Sequence, residues 1–250
     1  MAAKPLRTND VARRLGVAVN TVRLYESLGY FPLIPRAENG YRQFSELHVR
    51  HGQVIRQVMR CTWLGGRIRE TALSILTLAA SGDYAAANEH AQLLYDLVET
   101  ERDHAEEAVA VVEAWSRGQR QQASDQQLRI GQAAARLDVT IDELRNWERN
   151  GLLTVPRLAN GYRIYGQAEI DRLLVIRVLR RARYSTMAIL NMLQRLDAGQ
   201  ADHLRDILDS TPIDTSMERY PTDNWLTTLE DIHEAATIIC ELVADLPNPP

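Results

Sequence analysis

The sequence predicts a mainly α protein built from two winged helix-turn-helix domains, each followed by a long coiled-coil-type helix. Three observations carry that prediction. The first is a long internal repeat. Thr21 to Glu26 (Thr-Val-Arg-Leu-Tyr-Glu), Gly29 and Asn39-Gly40-Tyr41-Arg42 return as Glu143 to Glu148 (Glu-Leu-Arg-Asn-Trp-Glu), Gly151 and Asn160-Gly161-Tyr162-Arg163. A long-period repeat decides the architecture before any single element does. The second is charge that alternates in step with the repeat. Residues 1–69 carry a net +8, residues 70–127 −8, residues 128–195 +6 and residues 196–250 −10. The third is an apolar stripe of alternating steps of four and three in each acidic part, the pattern of a coiled-coil face.

In the first basic part, Thr8 to Leu15 reads as a short helix with Thr8 or Asn9 as its cap. Val11, Ala12 and Leu15 form its apolar face, and Gly16 ends it. Val19 to Leu28 reads as the second helix, closed by Gly29. In the second basic part the two helices fall near Gly131–Leu137 and Ile141–Asn150. Thr140 and Glu143 there form a capping box, whereas Ala18 stands at the matching position of the first copy. Two short helices joined by a tight turn make a helix-turn-helix.

After each second helix comes a Pro-containing stretch, then Asn-Gly, a strong hairpin signal. This predicts a β-wing displaying Arg42 or Arg163. A third helix follows, with Leu47, Val54, Ile55 and Val58 inward in one copy and Ile170, Val175, Ile176 and Leu179 in the other.

Each acidic part holds one long helix. In residues 84–116 the stripe is Ala87, Ala91, Leu94, Val98, Ala105, Ala108, Val112 and Trp115, interrupted at Glu101. Near the C-terminus it is Trp225, Leu229, Ile232, Ala236, Ile239, Val243 and Leu246. The expected domains are 1–78 for the first winged unit, 79–118 for its helix, 119–127 for a polar linker, 128–196 for the second winged unit and 197–250 for the acidic C-terminal region.

Each winged unit resembles the DNA-binding domain of MerR-family transcription regulators. The resemblance rests on the recognition-helix string, the Gly-Leu-Leu or Gly-Tyr-Phe that follows it, the Pro/Arg loop and Gly-Tyr-Arg-x-aromatic. It covers about 65–70 residues of each repeat. It implies phosphate contacts from Arg23, Arg145, Arg42 and Arg163, and from the Tyr25 hydroxyl, with Tyr41 and Tyr162 supporting the wing or touching the backbone. Base edges lie within reach of Asn20 and Thr21 in one copy and of Asp142 and Glu143 in the other, with the two half-sites read through Asn20–Tyr25 and Asp142–Trp147. Trp147 replaces a family tyrosine, as Leu24 and Asn146 replace another. Asp142 and Glu143 either accept from cytosine N4 or cap the helix.

The resemblance further implies double-stranded promoter DNA and RNA polymerase as partners, and long helices that pair antiparallel. Two such helices in one chain suggest a covalent pseudo-dimer, monomeric in solution and suited to an asymmetric operator. Two independent modules pairing between chains is the competing arrangement.

The composition excludes several classes. No apolar run reaches the roughly 20 residues of a membrane span, and MAAKPLRTND has no apolar signal segment. A cytoplasmic protein is expected. Cys61 and Cys240 give no disulfide or metal spacing and read as core thiols. His48, His51, His90 and His104 read as surface residues, with no metal and no cofactor. No catalytic set stands out, so no enzyme is expected. Tyr84, Tyr95, Trp115, Tyr220 and Trp225, with the acidic insertion at residues 198–224, suggest either an aromatic pocket for a cationic or apolar effector or core packing. The function read from the sequence is a sequence-specific transcription regulator that distorts promoter DNA. An architectural DNA-bending protein and a ligand-sequestering protein with vestigial heads stay open beside it.

Overall fold

A computed structural model describes residues 5–64, 66–118, 127–200, 202–210 and 224–246. The chain divides into two compact units. Residues 1–100 and 229–250 form one, and residues 101–228 form the other. The boundary therefore falls inside a long helix and not at the repeat boundary that the sequence suggests.

In the first unit α1 (Thr8–Leu15) and α2 (Val19–Ser27) form the helix-turn-helix. Arg7 is the N-cap of α1, in place of Thr8 or Asn9. Asp10 Oδ2 accepts from the Arg7 N–H at 3.0 Å, which fills one orphan amide of the first turn. α1 ends at Gly16 in the left-handed region, φ 63°. α3 (Glu46–Cys61) packs Val54, Ile55 and Val58 inward as expected, whereas Leu47 is only half-buried. Gly52 is what lets α1 approach α3: a Cβ there would stand 2.3 Å from Leu15 Cδ1. A short 3₁₀ turn (Thr62–Leu64) leads to α4 (Gly66–Ser81).

α5 (Tyr84–Ser116) is the predicted long helix. Within the first unit Ala87, Ala91, Leu94 and Val98 are fully buried, and so are Ala236 and Ile239 of α11 (Trp225–Ala244). The two helices run antiparallel there. His233 Nε2 meets Glu99 Oε2 at 2.8 Å and its ring lies 5.0 Å from that of Tyr95. Twelve residues on, just past the end of α11, the Asp245 carbonyl accepts from Arg50, next to His51, which meets Tyr84 at the start of α5. Arg60 of α3 also bonds Glu234 Oε2 at 2.8 Å.

The second unit repeats the head as α6 (Ile130–Leu137), α7 (Ile141–Arg149) and α8 (Gln167–Arg181). The Thr140 box forms: Glu143 Oε2 accepts from Thr140 N at 2.7 Å, and Thr140 Oγ1 from Glu143 N at 3.1 Å. α9 (Thr186–Asp197) and α10 (Leu204–Leu208) follow. Here the second half of α5 supplies the buried Ala105, Ala108 and Val112. The fully buried Tyr184 donates its hydroxyl to the Ala105 carbonyl at 3.3 Å. Glu101, the interruption in the stripe, bonds Arg183 at 3.2 Å.

His48 and His51 are corrections to the sequence reading. Three residues apart on α3, they share its inward face and are buried. Ser45 N–H donates to His48 Nδ1 at 2.9 Å, which leaves the ring proton on Nε2, facing the Leu33 carbonyl at 3.3 Å. Burial, then the neighbouring His48, push His51 down to about 4 from its ordinary 6.5. His48 is lowered as well, chiefly by burial. The unfolded chain takes up these protons below about 6.5, whereas the folded His51 resists until about 4. Stability is thus full above 6.5 and is lost as pH falls through that window. For His51 the loss between pH 7 and 5 is about 2 kcal/mol. Urea unfolding at the two values measures it. His51→Gln should flatten the slope, and an unchanged slope would contradict this account.

Cys61 is a buried thiol pushed up to about 12, and Cys240 is half-buried and also raised. Neither forms a disulfide. Among the described residues no helix is long and apolar enough to cross a membrane.

Candidate nucleic-acid interface

Each head turns the same side of its second helix outward. On α2 the exposed residues are Asn20, Arg23, Leu24 and Ser27, with Thr21 half-buried. On α7 they are Asp142, Glu143, Arg145, Asn146 and Arg149. The inner face is set by Val22 with Tyr25, and by Leu144 with Trp147. Tyr25 is only 8% exposed and Trp147 only 6%. Each packs against the buried residue one turn before it, at the i, i+3 spacing. Burial also raises the Tyr25 hydroxyl pKa.

The wings are less regular than expected. Among the described residues they form isolated antiparallel bridges, Arg36 with Arg42 and Arg157 with Arg163, and no longer strand. The tip is nonetheless well defined. Ala37 N–H donates to the Tyr41 carbonyl at 2.9 Å, and Gly40 N–H to the Ala37 carbonyl at 2.8 Å. Gly40 sits at φ 79° and Gly161 at 82°, conformations that a side chain would oppose. Asn39 and Asn160 each accept from the tyrosine amide two residues on, at 3.2 Å. Tyr41 and Tyr162 are 68% and 60% exposed at these tips. The Arg129 guanidinium stands 5.6 Å from the centre of the Tyr162 ring.

One pair of residues escaped the sequence reading. Glu26 closes α2 and grips two wing arginines: Arg42 Nε at 2.5 Å and Arg36 at 3.4 Å. Glu148 does the same on α7, holding Arg163 Nε at 2.6 Å and Arg157 at 3.3 Å. Both carboxylates are largely buried, so these pairs are shielded more than surface ion pairs. They hold Arg42 and Arg163 by Nε, and Arg36 and Arg157 by a terminal guanidinium nitrogen, beside the recognition helix. The signal was in the repeat: Glu26/Glu148, Arg36/Arg157 and Arg42/Arg163 all recur in register.

The outward arginines are themselves tethered by the residue one turn before. Arg23 reaches Asn20 Oδ1 at 3.5 Å, and Arg145 reaches Asp142 at 3.2 Å. Both members of the second pair are exposed, so that contact is weak and yields readily to a phosphate. Glu143 is committed to the cap, and bonds from Thr140 keep its carboxyl below the usual range. The negative charge on α7 thus has local structural causes.

The aromatic residues read for an effector pocket are divided between the two units. Tyr84 and Tyr95 belong to the first unit, Trp115 and Trp225 to the second. Tyr84 is buried against His51, and Trp225 is fully buried. Trp115 lines a cleft of about 650 Å³ with Leu153, Asp171, Arg172 and Asp197. Tyr220 and the rest of residues 211–223 lie outside the described residues.

Comparison with known proteins fits this duplicated geometry. Residues 7–44 match the family described as MerR family regulatory protein. Residues 128–196 match the family described as MerR HTH family regulatory protein. No curated protein and no solved structure matches the chain.

Proposed function

The chain belongs to the MerR family through both of its heads, and from that premise we propose that this DNA-binding transcription regulator distorts promoter DNA as a single-chain pseudo-dimer. The observation that carries the reading is the duplicated clamp, a wing arginine held at 2.5 and 2.6 Å beside an outward recognition helix. Each head offers one helix for a groove and two arginine sites for flanking phosphates.

The pseudo-dimer is supported by a reciprocal exchange of helices. The C-terminal segment of the second repeat, residues 229–250, belongs to the unit of the first head. The second half of the first repeat's long helix, from residue 101, belongs to the unit of the second head. A homodimer with antiparallel helices would trade the same segments between chains. Here one chain supplies both.

Two heads on one duplex grip separate turns, and straining the spacer between them costs a few kcal/mol, repaid by phosphate contacts. RNA polymerase is the partner that would read the altered spacer. Fluorescence transfer between the ends of a labelled promoter duplex tests this directly. Transfer should rise on saturation. Binding with unchanged transfer would contradict the distortion, and no binding would contradict the DNA reading itself.

A further inference from the structure

The outward faces of α2 and α7 share positions but differ in chemistry. In the first head Leu24 and Leu28 are 53% and 49% exposed. They stand one turn apart on the same face as Asn20. The head's own core is met by Val22 and Tyr25, so the two leucines are not needed there. Their counterparts in the second head are Asn146 and Asn150. That pair is closed on itself: Asn150 Nδ2 donates to Asn146 Oδ1 at 3.2 Å and to its carbonyl at 2.9 Å. An apolar pair in one head thus stands where the other carries a hydrogen-bonded polar pair.

Water gives no reason for two leucines on the outward face of a recognition helix. The major groove does, because its one apolar group is the C5 methyl of thymine. Asn20, one turn before Leu24, is of the residue type that pairs with the adenine edge. We propose that Leu24, flanked by Leu28, is a specificity-determining contact that makes the first head's half-site require thymine through its methyl group. The second head has no such requirement. The inference rests on the DNA-binding reading given above, and it makes the operator asymmetric in chemistry as well as in sequence.

The probe is a duplex selected from a random pool by the wild-type protein. It is resynthesised with deoxyuridine for thymidine in one half at a time, which removes methyls while leaving charge and pairing unchanged. The half whose protection Arg23→Ala removes in a footprint is assigned to the first head. Uracil in that half should weaken binding about four-fold per contacted methyl, the worth of one buried methyl group. Uracil in the other half should change nothing. Leu24→Ala should bind thymine and uracil duplexes equally, with an unchanged melting midpoint because the residue is exposed. Indifference of the wild type to uracil in the first half, or the same penalty in Leu24→Ala, overturns the inference. If no sequence is selected at all, it is the DNA-binding reading that fails, and the inference with it.

Discussion

Arg42→Ala and Arg163→Ala should each weaken DNA binding about ten-fold or more, and the double substitution should multiply the two losses. The magnitude is that of one charge-assisted hydrogen bond. Each change should also lower the slope of log affinity against log salt by about 0.9, one phosphate's worth of released counterions. The two single variants matter together. If both heads sit on one duplex, each wing contributes, and the losses are comparable. If the second head is vestigial, Arg163→Ala does nothing. Glu26→Gln separates positioning from simple charge. It removes a negative charge close to DNA, so bulk electrostatics alone would tighten binding. A carboxylate that fixes Arg42 and Arg36 predicts weaker binding instead. Tighter binding by Glu26→Gln would reduce the clamp to a neutralising contact.

Ile239→Asp should destabilise the first unit by about 4 kcal/mol or more. Ile239 is fully buried on α11. The substitution removes a large apolar side chain and sets a carboxylate where no solvent reaches it. Urea unfolding followed by far-UV circular dichroism measures the loss, and Glu241→Gln on the exposed side of α11 serves as the control. Concentration sharpens the result. Helices paired within one chain unfold at a midpoint that does not depend on protein concentration. Helices paired between chains become more stable as concentration rises. An unchanged midpoint for Ile239→Asp would mean that the seam is not part of the folded core.

The sequence disclosed the helices of the two heads and the two long helices, but not α4, α9 or α10. α1 spans the expected Thr8–Leu15 and α7 starts at the expected Ile141, because 3.6-residue periodicity and, in α7, the Thr140 capping box are local signals. The seams of α5 and α11 were legible for the same reason. What stayed hidden was non-local. Each wing is a short hairpin with one bridge, and its arginines are held by Glu26 or Glu148, a pairing no local pattern announces. That Tyr25 and Trp147 are largely buried, beside Val22 and Leu144, was not evident from their positions in the recognition-helix string. His48 and His51 read as polar surface until α3 places them on the face that carries Ile55. No sequence periodicity reveals that residues 229–246 pack in the unit of the first head, since that pairing joins segments more than a hundred residues apart.

The most direct measurement is the solution mass by light scattering, alone and with a promoter-length duplex. A chain that carries both halves of a two-headed regulator should be a monomer of 28.3 kDa that binds one duplex one to one. A stable dimer, with four heads for each duplex, would contradict it.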